Sequence, residues 1–498
     1  MFKMQILKTN ATIAFSPQGV PRTAHKTGDC HGPSGLAMTF RAAFLRNTSV
    51  WVVLLALHIF CPAGQAALKG GFAKVNITPP LGIPLIGSYG KPSDDILDEL
   101  YAKALVLNDG NTTIAIVSAD LLYTPLEEIT NPVREIIKEK LGIPEQNVLV
   151  CATHTHSGPE VFARSKVPSK GRMPASEIDQ SYLETLIRKV AGSVLIAYKN
   201  MQEVRIGVAK GQIPEIVYNR RPKTPDGSVR MAFTLPPEVI ATKKVKQGPD
   251  DSVRVTFDYT HEEAQLDFGP IDAGVCVLRV EDANGGIVGS LVNFGCHPVC
   301  IYPYLSTSIS ADYPAYATGV VEQVEGGICL FALGLAGDTV PVVRGIKPRE
   351  KIGKALGGEA LRRLQMVTTT GSVTLKALKK EVKFPTKKVH SPDETTDDNK
   401  TIDYVTTEIQ VLRLGDIYIL GLPGEILVEV GLNIKKRAGL KNLFIVTLSN
   451  DAIGYVCHHQ AYEEGGYEPG SGTNLAKGAG EIMTEKAIEL INQIKRRR

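Results

Sequence analysis

The stretch VLVCATHTHSGPE, residues 148–160, places two histidines, His154 and His156, just after a short apolar run. Residues 148–151 are all apolar, which is typical of a buried strand, and the Ser-Gly-Pro at 157–159 should end it. Side chains two residues apart lie on the same face of an extended chain, so both imidazoles should leave the strand end together. Because ligands bind at the carboxyl ends of strands in open α/β sheets, we expect a site here.

Strand-like and helix-like segments alternate along the rest of the chain. Residues 125–142 and 180–200 have the pattern of amphipathic helices, and a third helix with one apolar stripe is expected from about 480 to 494. Residues 236–268 are polar and poorly periodic, which indicates a surface excursion. Since no repeat and no linker is visible, residues 67–498 are interpreted as a single large α/β domain of mixed β-sheets flanked by helices.

The composition, with 43% hydrophobic and 22% charged residues, is that of a soluble globular protein. Residues 1–66 contain six basic residues and one acidic residue, whereas the rest of the chain contains 50 basic and 51 acidic residues. A nearly neutral chain offers no electrostatic basis for binding nucleic acid or a membrane surface.

The N-terminal segment has the pattern of a secretory signal peptide that starts at Met38. Two arginines precede an apolar run over residues 50–61, and small residues lead to Ala66. That run is short against the roughly 20 residues that a membrane-spanning helix needs. We therefore expect Met38 to be the true start, residues 1–66 to be absent from the mature protein, and that protein to be secreted or periplasmic without a stable membrane span.

Beyond residue 66 the chain has an even number of cysteines, which permits disulfides in an exported protein. Most of them lie within apolar, strand-like runs, and this favours buried free thiols. The six residues are Cys151, Cys276, Cys296, Cys300, Cys329 and Cys457.

Three separate apolar runs end on potential metal ligands, namely His154, His297 in NFGCHP and Glu425 in LPGE. Two histidines and a carboxylate form the ligand set of a catalytic zinc site. Taken singly, each has an ordinary interpretation: a surface histidine pair, a turn histidine, and an acidic residue at a helix N-terminus. Asp120 and Asp312 also end apolar runs, where each could hydrogen-bond a metal-ligating histidine or cap a helix.

Together, ATHTHSGP, PGE and GYV…Y…GGYE resemble the neutral/alkaline ceramidases, from about residue 71 to the C-terminus. The resemblance implies a ceramidase-like catalytic domain, here without the C-terminal β-sandwich of that family. It implies that His156 and Tyr467 stabilise an oxyanion and that Arg220 of YNRRP lies near the substrate. It further implies one zinc ion per chain, held by His154, His297, Glu425 and Tyr455.

One position departs from the family pattern, in which a serine in a Gly-Asp turn becomes the nucleophile. Here residues 337–341 read GDTVP, so Val340 stands at the serine position. Thr339 is adjacent, but neighbouring side chains on an extended chain point apart. A zinc site without the serine would have to use water, whose pKa the metal can lower to roughly 7.

The sequence therefore predicts a zinc-dependent hydrolase that acts on amide (N-acyl) or related bonds of a small-molecule or lipid substrate. Two alternatives stay open: a genuine ceramidase of sphingolipid metabolism that uses Thr339 in a rearranged turn, and a non-catalytic zinc- or ligand-binding homologue. Nothing in the sequence indicates a nucleic-acid partner or sets the oligomeric state.

Overall fold

The computed structural model describes residues 67–86, 91–161, 179–248, 252–387 and 403–496. All of them belong to one unit, Gln65–Arg498. The expected signal peptide lies outside the described residues.

The first sheet has five strands and one parallel pair at its edge. Its spatial order is Val148–Ala152, Thr113–Ala119, Tyr101–Asn108, Lys69–Asn76 and Gln202–Glu203. The first two strands are parallel and the others pair antiparallel. The helix Asn131–Leu141 connects the parallel strands and ends at Gly142, whose φ of 67° suits glycine. The helix Gln180–Lys199 packs on this sheet.

The second sheet repeats this plan with four strands. In spatial order they are Ile328–Leu333, Ile287–Phe294, Gly274–Glu281 and Arg205–Gln212. The first two are parallel and are joined through the helix Tyr313–Glu325, which packs against the helix Ile346–Leu364. His297 lies three residues after the end of the strand Ile287–Phe294.

The third sheet also ends in a parallel pair. Its strands are Leu375–Pro385, Tyr404–Leu414, Ile417–Gly421 and Leu443–Val446, of which the last two are parallel and flank the helix Val428–Ala438. Glu425 lies between the strand Ile417–Gly421 and that helix. The helix Ala479–Arg496 covers this part of the molecule with the stripe predicted from the sequence, namely Met483, Ala487, Leu490, Ile491 and Ile494.

Shorter elements fill the connections. The polar segment 236–268, expected as a surface excursion, contains the helix Pro237–Ile240 and the strands Lys244–Gln247, Val253–Thr256, Thr260–His261 and Ala264–Gln265. The remaining short elements are Asp95–Ile96 with Ser308–Ile309, Val217–Asn219 with Thr339–Pro341, Glu425–Ile426 with Tyr455–Val456, the strand Pro270–Ile271, the helix His459–Glu464, and the helical turns Leu126–Thr130, Glu145–Asn147 and Pro214–Ile216.

The three sheets share one apolar core, to which Leu149, Leu330 and Phe444 each contribute from a different sheet. Their parallel pairs also meet end to end. The Thr447 amide donates to Leu333 O at 2.9 Å, and the Asn450 amide donates to Val150 O at 2.7 Å. The carboxyl ends of three parallel pairs are thereby brought to one place, where α/β folds bind ligands.

The mixed α/β fold predicted from the sequence is confirmed. Within the described ranges, none of the helices combines the length and the apolar character that crossing a membrane would require.

Candidate metal centre

Three histidines from two sheets form a cluster at the meeting point of the strand ends. The potential ligand atoms of His154, His156 and His297 all lie within 4.8 Å of one another. The His154 ring centroid is 4.8 Å from that of His156 and 4.7 Å from that of His297. His154 and His297 are fully buried, whereas His156 is partly accessible.

The two histidines of the HTH stretch come together in a different way from the one expected. The strand ends at Ala152, and His154 has a φ of 70°, a left-handed conformation that is uncommon outside glycine. The prediction of one continuous extended face was therefore wrong, because a turn at His154 sets the two rings side by side. Such a backbone persists only where its surroundings hold it, and the His154 amide donates to Leu121 O at 2.9 Å.

The Nδ1 atoms of His154 and His297 both face backbone carbonyls. Nδ1 of His154 lies 3.0 Å from Leu122 O, and Nδ1 of His297 is hydrogen-bonded to Ala336 O. A carbonyl oxygen can only accept, so each Nδ1 carries the proton and donates it. In the neutral rings Nε2 then presents a lone pair.

Those lone pairs converge on one carboxylate oxygen. Oε2 of Glu425 lies 3.3 Å from Nε2 of His154 and 3.1 Å from Nε2 of His297. Burial lowers the pKa of His297 to about 4, with repulsion from Arg220 adding to it, so this ring is neutral at pH 7. Burial raises the pKa of Glu425, and His154 and His297 hold that pKa well below its usual range only in their protonated forms, which donate from Nε2.

This arrangement fits a metal cation. Two imidazole lone pairs and a carboxylate oxygen face each other at hydrogen-bond distances, and with the ring protons on Nδ1 neither histidine donates to Glu425. Nε2 of His154 and Nε2 of His156 are buried without a hydrogen-bond partner among the described residues. Nitrogen and oxygen donors of this kind are the ligands that Zn²⁺ prefers in catalytic sites, and the carbonyls behind Nδ1 supply the orienting hydrogen bonds typical of such sites.

Tyr455 lies next to Glu425 because their two short strands pair in parallel with these residues in register. Its ring stacks on His297 at a centroid distance of 6.5 Å. Burial and the charge of Glu425 raise the pKa of the phenol well above 10. Arg220 donates from Nη2 to the Tyr455 hydroxyl at 3.1 Å.

The residues expected to contact substrate surround this group. His156 packs against Tyr302 with a centroid distance of 5.2 Å, and burial together with repulsion from His154 holds its pKa well below the ordinary value. Tyr467 is half-buried and meets Tyr455 edge to face at 5.5 Å. The structure thus places Tyr467 and Arg220 next to Tyr455, beside the histidine cluster that contains His156.

Thr339 is adjacent in sequence to Val340, but its hydroxyl is hydrogen-bonded to the backbone. Oγ1 lies 3.2 Å from both Gly295 O and Leu335 O, two backbone acceptors, and the side chain is fully buried. Its backbone carbonyl accepts the His297 amide at 3.0 Å. Val340, at the serine position, is fully buried as well.

Neither aspartate that was considered as a partner for a ligating histidine has that role here. Asp312 caps the helix Tyr313–Glu325 by accepting from the Tyr313 amide at 2.7 Å, which is the alternative interpretation. Asp120 accepts from the Tyr101 amide at 2.9 Å and from the Thr153 hydroxyl at 3.1 Å. Backbone carbonyls take the place expected for carboxylates behind the histidines.

Two site residues escaped the sequence analysis. Tyr123 lies 5.8 Å from His154 between ring centroids, and its hydroxyl is 3.4 Å from Oε1 of Glu425. Glu468 accepts from Nε of Arg220 at 2.8 Å. The sequence offered a signal only for Glu468, since it is the glutamate of the GGYE motif.

Comparison with known proteins finds similarity to neutral ceramidases. Residues 71–226 match the family described as neutral/alkaline non-lysosomal ceramidase, N-terminal. Neutral ceramidase B of Dictyostelium discoideum is 24% identical over 257 residues, covering 49% of this chain and 31% of the relative. Neutral ceramidase A of that organism is 24% identical over 258 residues, with the same two coverages. The chain thus spans about a third of the length of these curated relatives.

Solved structures agree with the fold. The crystal structure of neutral ceramidase from Pseudomonas aeruginosa superposes with a TM-score of 0.66 at 17% identity, covering 87% of this chain and 75% of that one. A ceramidase complexed with C2 gives a TM-score of 0.66 at 18% identity, covering 87% of this chain and 76% of the other. At such identities the likeness establishes a shared fold.

Proposed function

We propose that the protein belongs with the neutral/alkaline ceramidases, whose family description matches residues 71–226, and that it is a zinc-dependent hydrolase that cleaves amide bonds of N-acyl compounds. One observation carries the proposal: Nε2 of His154 and Nε2 of His297 converge on Oε2 of Glu425 at 3.3 and 3.1 Å. Such a donor set, buried at the ends of strands, suits a catalytic metal.

The proposal assigns the metal to His154, His297, Glu425 and Tyr455. Zinc bound there would supply a Lewis acid for the scissile carbonyl and would lower the pKa of an attacking water. Three of the four side chains are held by the protein itself, since each histidine is fixed through Nδ1 and Tyr455 accepts a hydrogen bond from Arg220.

His156 and Tyr467 are the groups proposed to stabilise the oxygen of the substrate as it gains negative charge. The Tyr467 hydroxyl is a hydrogen-bond donor, and a preorganised donor of this kind typically contributes about 10²–10³ in rate. His156 stays neutral at pH 7 because of its lowered pKa, so its ring can donate through one nitrogen only. Nη1 of Arg220 has no hydrogen-bond partner within the described residues and is free to orient a polar group of the substrate.

Water is the proposed nucleophile. Val340 carries no nucleophilic atom, and the Thr339 hydroxyl is directed at two buried carbonyls. A ceramidase that uses Thr339 is the second candidate, and alanine at this position separates the two. Thr339→Ala should leave the rate of hydrolysis within about threefold if water attacks, and should abolish activity if Thr339 does.

We further propose that the protein is exported, on the basis of the signal-like pattern of residues 38–66, and that its substrate is a small molecule or lipid with an N-acyl group. Val340 favours substrates beyond ceramide itself, such as other N-acyl compounds.

The proposal is tested by measuring metal content and hydrolysis together. Wild-type protein should contain one equivalent of zinc by mass spectrometry and hydrolyse members of an N-acyl amide panel, with activity lost on chelation. The double variant His154→Ala, His297→Ala should contain none, and His459→Ala, at an exposed histidine, should match wild type. Zinc without turnover on any amide or ester would indicate a non-catalytic binding protein, and no zinc would refute the proposal.

A further inference from the structure

Glu468 lies at the centre of a buried charge network beside the metal centre. Its side chain is fully buried, and its two carboxylate oxygens each accept from a different arginine. Oε1 accepts from Nε of Arg220 at 2.8 Å, and Oε2 accepts from Nη1 of Arg221 at 2.7 Å. One carboxylate therefore compensates two buried guanidinium groups.

Each arginine has further fixed partners. Nη2 of Arg220 donates to Gly337 O at 3.0 Å, and Nη2 of Arg221 donates to Gly465 O at 2.9 Å. Because the guanidinium is planar with its donors in a rigid fork, hydrogen bonds on two sides leave it one orientation. The network joins three segments of the chain: the residues after the strand Val217–Asn219, the Gly337 turn, and the segment that carries Tyr467.

The orientation of Arg220 determines which of its nitrogen atoms contacts the Tyr455 hydroxyl. The same Nη2 that contacts Gly337 donates to the Tyr455 hydroxyl at 3.1 Å, and the Tyr455 ring stacks on His297. Glu468 is also the residue after Tyr467, whose ring packs on Tyr455. Both tyrosines of the site are thus tied to Glu468, one through Arg220 and the other through the backbone.

We propose that Glu468 is a positioning residue that holds the Tyr455 hydroxyl toward His297 and Glu425 by clamping Arg220. This inference rests on the proposed function, since it takes Tyr455 to be a metal ligand. The carboxylate acts at a distance from the substrate, through the guanidinium of Arg220, in the manner of the outer partners that orient metal ligands.

Glu464 provides a matched control within the same network. It is buried, and its carboxylate lies 2.6 Å from Lys223 and 3.5 Å from Arg221. Among the described contacts it makes none with Arg220. Replacing Glu464 by glutamine removes a comparable buried charge while leaving the contacts from Glu468 to Arg220 and on to Tyr455 in place.

The experiment compares Glu468→Gln and Glu464→Gln in three measurements: the zinc dissociation constant by competition with a chelating dye, kcat and KM on an N-acyl amide, and the temperature of unfolding. Glu468→Gln should weaken zinc binding about 10–100-fold and lower kcat by a similar factor, with KM changed less than about threefold. Glu464→Gln should leave zinc binding and kcat within about threefold. A Glu468→Gln variant with a lower unfolding temperature but unchanged zinc binding and kcat would show a structural role only.

A second variant keeps the test decisive if Glu468→Gln does not fold. In the double variant Arg221→Met, Glu468→Gln, one cation is removed together with the carboxylate, so the net charge of the buried network is the same as in wild type. Relative to Arg221→Met alone, the double variant should still bind zinc about 10–100-fold more weakly, and equal binding would overturn the inference.

Failure of this inference can be told apart from failure of the proposed function. If the wild-type protein hydrolyses no amide, and the Glu468→Gln variant binds zinc more weakly than wild type, the proposed function is refuted and the positioning role is supported. If the wild-type protein hydrolyses amides, and Glu468→Gln changes neither zinc binding nor kcat, the proposed function is supported and the positioning role is refuted.

Discussion

The imidazoles of His154 and His297 are prepared as metal ligands by single backbone atoms. Leu122 O and Ala336 O fix the proton of each ring on Nδ1, and this choice leaves the Nε2 lone pairs directed at Glu425. The left-handed backbone of His154 is the conformational cost of the arrangement, of the order of 1–3 kcal/mol. At the scale of single residues, the site is therefore held in a state that is unfavourable without a cation.

Glu425→Gln tests this account directly. The amide nitrogen of glutamine can donate to the Nε2 lone pairs, so the metal-free variant should be at least as stable as metal-free wild type. Its zinc affinity should fall by at least about 100-fold, because the anionic ligand is gone. Zinc stoichiometry and the temperature of unfolding in chelator are the two measurements.

Glu429→Gln is the control, since Glu429 lies four residues further along the chain, in the helix Val428–Ala438, and pairs with His458 at 2.5 Å. It should bind zinc like wild type. A Glu425→Gln variant that retains zinc, or one that is unfolded in chelator under conditions where wild type is folded, would contradict the account.

Asp120 predicts a pH dependence of stability. Burial raises its pKa from 3.8 to about 6, so the folded protein binds a proton here at pH values where the unfolded chain has released it. Stability from this group is present below about pH 4 and is lost as pH rises through 6. In Asp120→Asn, the amide can still accept from the Tyr101 amide and donate to the Thr153 hydroxyl.

Relative to wild type, Asp120→Asn should therefore gain about 3 kcal/mol in free energy of unfolding between pH 4 and pH 7. Urea unfolding of the metal-free proteins across this range measures the difference. A difference that does not change with pH would show that Asp120 is already ionised at low pH in the folded state.

At the scale of elements, the site is built by one unit used three times, a parallel strand pair connected through a helix. Helix Asn131–Leu141 of the first unit is tied to the third sheet by Arg134, which is fully buried. Arg134 donates from Nε and Nη2 to Val148 O at 3.1 and 2.9 Å, and its Nη1 lies 2.8 Å from Oε1 of Glu408. This ion pair joins the helix, the start of the histidine-bearing strand and a strand of another sheet.

Arg134→Met should lower the free energy of unfolding by about 3–5 kcal/mol, because Glu408 loses its fully buried partner and keeps only the partly exposed Lys379, 2.9 Å away, while Val148 O loses two hydrogen bonds. Urea unfolding is the measurement. Lys138→Met on the same helix is the control, since this side chain is 61% exposed, and it should change stability by less than about 1 kcal/mol. A change of similar size in both variants would show that the buried pair has no special role.

Elements with strong local signals were predictable from the sequence, and those without were not. The strand Val148–Ala152 is a continuous apolar run, and the helix Asn131–Leu141 has a glycine stop. The strands within 236–268 are only two to four residues long, too short for periodicity to show. Strand ends marked His154, His297 and Glu425, whereas Tyr123 approaches Glu425 across 302 residues, a separation at which no local pattern exists.

At the scale of the whole molecule, no cysteine thiol lies at the surface among the described residues. Cys151, Cys276, Cys296, Cys300, Cys329 and Cys457 are free and buried, which confirms the interpretation as free thiols. Burial raises the pKa of the Cys151 thiol to about 12 and that of Cys296 and Cys300 well above 9. The thiolate, which is the reactive form, is therefore suppressed as well as enclosed.

In the folded protein these six thiols should react with Ellman's reagent at least about 100-fold more slowly than in guanidinium chloride, since reaction requires an exposed thiolate. The absorbance of the released thionitrobenzoate follows both reactions. Rapid reaction of one of the six in the folded protein would show local opening of the core around it.

The candidate ligands also have an order in time. His154 and Tyr455 are separated by roughly 300 residues, which a ribosome adds in about 15–60 s at 5–20 residues per second. During that interval a nascent chain would present His154, and later His297, without the glutamate and the tyrosine that complete the set. Two free imidazoles form a site with little selectivity among Cu²⁺, Ni²⁺ and Zn²⁺, and Cu²⁺ binds such sites most tightly. The identity of the metal ion that this protein binds would therefore depend on the compartment in which the chain folds. It would also depend on which metal ions are present in that compartment.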